Sequence, residues 1–132
     1  QPAGERSVAA APAPAPPPPP SRAALTARQR HDLEALYMRG LEAMRQRRSD
    51  DALRYLELVW STDSTYARAG EYLKREYLMR GMEAYASGRL DDAMALWERA
   101  LKVDPNDPRA IGYLARAQQQ LARTREILGS RK

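Results

Sequence analysis

From Thr26 onward, apolar side chains recur at three- and four-residue steps with almost no helix breakers, and no stretch alternates apolar with polar as a strand does. Leu33, Leu36, Tyr37, Gly40, Leu41 and Met44 set the phase of a first helix, capped by Thr26 and running to about Arg47. Ser49 stands as the cap of a second helix. Asp50 and Asp51 lie in its first turn, where negative charge complements the helix dipole, and the cluster "STDST" ends it. A third helix is predicted from about Tyr66 to Ser87, stopping at Gly88, and a fourth from about Leu90 to Val103, again opening on two aspartates. In "DPNDP", Pro105 stops one helix and Asp107 caps the next. Pro108 takes the first helical position, where its missing donor does no harm. That fifth helix extends to about Leu128, and the whole reads as an all-α domain.

The pattern also repeats. "MRGLEAMRQRRSDDA" at residue 38 returns as "MRGMEAYASGRLDDA" at residue 79, and aligning residues 37–76 with 78–117 gives sixteen identities in forty positions. Arg39/Arg80, Gly40/Gly81, Glu42/Glu83, Asp50/Asp91, Glu57/Glu98, Arg68/Arg109 and Tyr72/Tyr113 are among them. A period of forty-one residues with two helices per unit signals a stacked helical repeat, in which one hairpin cannot cover its own apolar face and needs a neighbour.

In the second unit, Tyr77, Gly81, Gly88, Leu90, Ala93, Trp97, Ala100 and Pro105 fall at the spacing of large, small, turn and stop positions that resembles the tetratricopeptide repeat. A glycine within a helix costs about 1 kcal/mol against alanine; Gly81 is expected to allow close approach at Ala93, with Trp97 filling the space beside them. The first unit resembles the family more loosely, through Leu36, Gly40, Ala52 and Leu56, with Arg47 in place of the turn glycine and Ser64 in place of the proline. Arg39 and Arg80 both replace the usual leucine. The seven residues beyond the family's thirty-four-residue period amount to about two helical turns, expected to lengthen the third helix without changing its phase. The resemblance implies five helices, two hairpins plus a closing helix, over residues 25–132.

Residues 1–24 break the pattern. Eight of the ten prolines lie in the first twenty positions, with alanine and one valine as the only apolar material, so this segment cannot build a core and is expected to be disordered, with polyproline II favoured at its end. It reads as a tether holding the folded part away from a membrane, a wall or a preceding domain. The alternative is a ligand for a proline-binding groove, this protein's own included. Gln1 in place of an initiating methionine fits a processed chain or a piece of a longer one.

Charge and residue inventory remove several functions. There is no cysteine, which excludes disulfides and thiolate metal sites. The net charge of +5 invites nucleic acid, but acids and bases interleave as on a solvated helix face, and the basic end (Arg109, Arg116, Arg123, Arg125, Arg131 and Lys132) has no aromatic residues among its later arginines to stack bases. No apolar run approaches bilayer length. The doublets Asp50-Asp51 and Asp91-Asp92 resemble paired carboxylates, yet each belongs to a first helical turn, and His31 has no second histidine or cysteine with which to share a metal. No phosphate-binding glycine loop and no nucleophile with a nearby base can be assembled, so no enzyme activity, cofactor, metal or small-molecule substrate is expected.

What remains is surface. The resemblance implies that the first helix of each hairpin lines a concave, partner-binding side, which here carries Tyr37, Met38, Leu41 and Met44, then Leu78, Met79, Met82 and Tyr85. Four of the five methionines fall there, and methionine adapts to irregular apolar surfaces. The fifth helix adds Arg109, Tyr113 and Arg116. A non-enzymatic module docking a partner peptide or helix follows, with burial of the same stripe in a homo-oligomer as the alternative. The alanine, arginine and proline bias resembles bacterial envelope proteins, which places the module in a periplasmic or envelope-associated assembly such as secretion, pilus or wall machinery, the cytoplasm being the alternative.

Overall fold

The computed structural model describes residues 25–129. The proline-rich stretch and residues 130–132 lie outside the described residues. Five helices follow one another: α1 (Ala27–Arg45), α2 (Ser49–Thr62), α3 (Ala69–Ala86), α4 (Leu90–Val103) and α5 (Pro108–Gly129), with no strand among the described residues.

Local chemistry explains most of the boundaries. Thr26 and Gln29 form a reciprocal capping box: the Gln29 N–H donates to Thr26 Oγ1 at 3.1 Å and the Thr26 N–H to Gln29 Oε1 at 2.8 Å. α1 ends at Arg45, two residues short of the expected Arg47, because Arg47 swings to a φ of 58° and closes a Schellman turn. The Arg48 N–H then reaches the Ala43 carbonyl at 2.8 Å and the Arg47 N–H that of Met44 at 3.1 Å. One period later the same turn closes α3, with Gly88 at a φ of 80° and the Arg89 N–H on the Ala84 carbonyl at 2.8 Å. These turns deliver the chain directly into the next helix. Consequently Ser49 is not the cap of α2 but its first helical residue; Arg48 occupies the cap position without a side-chain bond.

The links between hairpins repeat as well. Asp63 and Asp104 each accept from the backbone N–H two residues on, from Thr65 at 2.9 Å and from Asn106 at 3.1 Å. After this turn α5 begins as expected, with Asp107 Oδ2 accepting from the Ala110 N–H at 2.9 Å and Pro108 as its first residue. α3 begins at Ala69 rather than Tyr66, since the Tyr66 N–H is held by the Asp63 carbonyl in the turn. The additional length of the period is therefore shared between α3 and the six-residue link 63–68.

Each helix packs on its neighbours in sequence. The core consists of residues such as Leu56, Val59, Leu73 and Trp97, with alanines (Ala43, Ala52, Ala69, Ala84, Ala93, Ala100, Ala110 and Ala117) where helices approach. Gly81 admits Trp97, as expected: a Cβ at Gly81 would stand 2.3 Å from Trp97 Nε1, inside contact distance. Gly40 faces Leu56 in the same way, with more room, at 3.1 Å. Polar pins cross the junctions. Ser49 Oγ on α2 donates to the buried Glu76 of α3 at 3.3 Å, Arg80 of α3 pairs with Asp50 of α2, and Lys74 Nζ spans Asp104 at 2.9 Å and Asp107 at 3.1 Å.

Candidate functional site

The odd-numbered helices share one side of the molecule. The Tyr37 ring on α1 lies 6.5 Å from that of Tyr72 on α3, and the Tyr85 hydroxyl on α3 donates to Gln120 Oε1 on α5 at 2.6 Å. On this side, between α3 and α5, Leu78, Met79, Met82, Glu83, Arg109 and Tyr113 line a cleft of about 370 Å³. Next to it a smaller recess is formed by Met82, Tyr85, Trp97, Tyr113 and Arg116. Seven residues singled out by sequence meet in these two depressions: Leu78, Met79, Met82, Tyr85, Arg109, Tyr113 and Arg116.

The floor is aromatic and the walls carry methionines. The buried Trp97 indole lies 5.9 Å from the Tyr85 ring and 5.3 Å from that of Tyr113, so three aromatic rings support the methionines. Met79 and Met82 are 46% and 44% exposed, far more than an α3 core position such as Leu73 at 1%, and this exposure makes them available to a ligand. Leu78 is buried at the base. The electrostatics come from α5, where Arg109, Arg116 and Arg123 recur every seventh residue, about 10 Å apart along the helix. None of the three makes an ion pair among the described residues, whereas Arg45, Arg48, Arg54, Arg68, Lys74, Arg80 and Arg89 all do. Glu83 is the single acid lining the cleft.

The first hairpin arranges its counterparts differently. Tyr37 packs edge-on against Tyr66 at 5.4 Å; Leu41 and Met44 are half-buried, and Met38 is 54% exposed. One period apart, Tyr37 and Tyr66 correspond to Leu78 and Asp107, so two rings stand where the second unit has a smaller side chain and a helix cap. Sequence reasoning missed Trp97 and Glu83 as lining residues and Tyr66 as a ring on this side. The identity of Glu42 with Glu83 in the repeat alignment was the available signal for the second.

The family profile of the tetratricopeptide repeat matches residues 74–117, from the middle of α3 to the middle of α5. The chain is tetratricopeptide-like. The matched stretch contains all of the larger cleft and Trp97. The first hairpin, with Arg47 and Ser64 at the turn and stop positions, lies outside it. Tetratricopeptide repeats are a protein-interaction fold and generally not enzymes. No curated protein matches the chain in sequence. No helix among the described residues is long and apolar enough to cross a membrane, and no three metal-ligating side chains converge there.

Proposed function

We propose that this tetratricopeptide-like chain is a non-enzymatic interaction module whose α3/α5 cleft receives a segment of a partner protein, an amphipathic helix or extended peptide with apolar anchors and acidic flanks. The observation carrying this reading is the pairing of exposed Met79 and Met82, over an aromatic floor, with a row of arginines that make no ion pair among the described residues. An apolar stripe enters a methionine-rich groove by helix-in-groove docking, and acids seven residues apart on the incoming helix meet Arg109 and Arg116. The interleaved, internally paired charges of α2 to α4 support a protein partner over nucleic acid. Composition supports a periplasmic or envelope-associated setting, testable by fractionation of the native cells.

The test uses a designed amphipathic peptide with a leucine stripe and glutamates at seven-residue spacing, titrated into the full chain and followed through Trp97 emission in a Trp60→Phe background. Binding that weakens at least tenfold on Met79→Glu with Met82→Glu, and that transfers to the lysine version of the peptide on Arg109→Glu with Arg116→Glu, is expected. Affinity indifferent to both double substitutions sinks the reading. A second reading, burial of an apolar face in a homo-oligomer, is favoured by Ile111 and Leu128 on α5, 48% and 60% exposed. A concentration-dependent dimer mass in light scattering, abolished by Ile111→Glu, would support it.

A further inference from the structure

Three tyrosines from α1, the 63–68 link and α3 point to a different ligand. Tyr66, Tyr37 and Tyr72 form a row of half-buried rings, with centroids 5.4 Å apart across the first pair and 6.5 Å across the second. The last ring is flanked by two guanidinium groups, with Arg68 Cζ 5.2 Å and Arg75 Cζ 5.4 Å from its centroid. Arg68 is held in place by a bidentate bond to Glu71, both distances 2.9 Å. The hydroxyls of Tyr77 and Tyr85 are hydrogen-bonded, to Glu57 and Gln120, whereas those of Tyr37 and Tyr72 make no hydrogen bond among the described residues. Spaced rings with hydroxyl donors such as those of Tyr37 and Tyr72 form the surface that a polyproline II segment recognises: its pyrrolidines lie on aromatic faces, and its carbonyls, with no internal hydrogen bonds, accept from the donors.

Such a segment belongs to this chain and reaches the structure at the row's edge. Leu25 is buried, its carbonyl accepts from Arg30 Nη1 at 2.6 Å, and with Asp63 and Tyr66 it lines one cleft. Asp63 is 7% exposed, and its Oδ2 has no hydrogen-bond partner, so a donor is missing where the chain arrives. Arg22, three positions upstream of Leu25, carries such donors. Five consecutive prolines occupy positions 16–20, four residues ahead of Leu25. At about 3.1 Å per residue a run of this length covers about 12 Å, which matches the path across the three rings. The linker, at up to about 3.5 Å per residue, is long enough to place it there.

We propose that the tyrosine row Tyr66, Tyr37 and Tyr72 is a polyproline-binding surface and that its occupant is the chain's own proline run, residues 16–20. A short tether raises the effective concentration of the run to about the millimolar range, so even a weak intrinsic affinity keeps the row occupied. The run and its linker then act as a strap along the first hairpin rather than as a free spacer, on residues separate from the α3/α5 cleft.

NMR on the full chain tests this against a variant in which all five prolines are replaced by serine. Shift differences are expected at Tyr37, Tyr66, Tyr72 and Arg75 and not at Met79, Met82 or Tyr113. A synthetic peptide of residues 11–22 added in trans is expected to bind the serine variant at the same residues, and the unaltered chain at least tenfold more weakly. Tyr72→Phe, which keeps the ring and the fold, is expected to weaken the trans complex several-fold, with circular dichroism unchanged. Differences confined to residues 25–30 overturn the proposal. Equal trans binding to both chains overturns it too, by showing the row open, and so does a trans peptide that shifts the α3/α5 cleft instead.

Discussion

Gly40 and Gly81 occupy the same place in successive hairpins, yet a methyl group meets different neighbours at each. At Gly81 it would stand 2.3 Å from Trp97 Nε1, on a large ring between two tyrosines, while at Gly40 it meets the smaller Leu56 side chain at 3.1 Å. Alanine gains about 1 kcal/mol of helix propensity in either case. Gly81→Ala is nevertheless expected to destabilise by about 2 kcal/mol, within the usual range for overpacking a well-filled core. Gly40→Ala should stay within about 0.5 kcal/mol of neutral, where a small steric loss offsets that gain. Urea unfolding of the two variants checks the contrast. Arg47 is the converse case, a non-glycine residue at positive φ where the next repeat has Gly88. Arg47→Gly is expected to raise stability by about 1 kcal/mol, the left-handed penalty removed. The spacing of small and aromatic positions made the glycine–tryptophan contact nearly legible in the sequence.

At the scale of elements, the number, order and approximate extent of the helices could be read from apolar phase and punctuation, and the Asp107 cap and Pro108 start were found as expected. The ends that differed, at Arg45, Arg48 and Ala69, are governed by turns whose backbone bonds reach three to five residues back, which a reading of capping side chains alone does not capture. One of these links has a consequence for pH. The hydrogen bond to Lys74, then the Asn106 N–H, hold the Asp104 carboxyl below its ordinary 3.8. Burial pushes Asp107 up, but the Ala110 N–H and Lys74 outweigh it, and its net displacement is also downward. Both groups are more acidic folded than unfolded, so their contribution is complete above about pH 4 and is lost as pH falls through and below 3.8. Asp107→Asn is therefore expected to lower the urea midpoint at pH 7 and to differ less from the unaltered chain at pH 3. A constant gap between the two pH values would contradict the linkage.

For the molecule as a whole, stacking was legible because the period itself signals it, and the residues of the second unit expected to face a partner gather in two adjoining depressions for the same reason. The first unit's half was not legible: Tyr66, the ring that closes its counterpart, belongs to a link outside any helical phase and has an aspartate as its repeat partner. The two hairpins thus repeat in backbone but not in surface, one presenting methionines beside cations and the other a tyrosine row.

α5 also ends the stack in a way that affects its own persistence. Ala110 and Ala117 are its only buried residues, Gln120 makes its last cross-helix hydrogen bond, and from Ala122 to Gly129 every side chain is exposed. Its last two turns form a cantilever with no buried side chain, and an isolated helical turn in water is marginal. Amide exchange should resolve α5 into two parts, slow up to Leu121 and faster by orders of magnitude beyond it. Any binding partner that reaches Arg123 must therefore first still a segment that frays on its own.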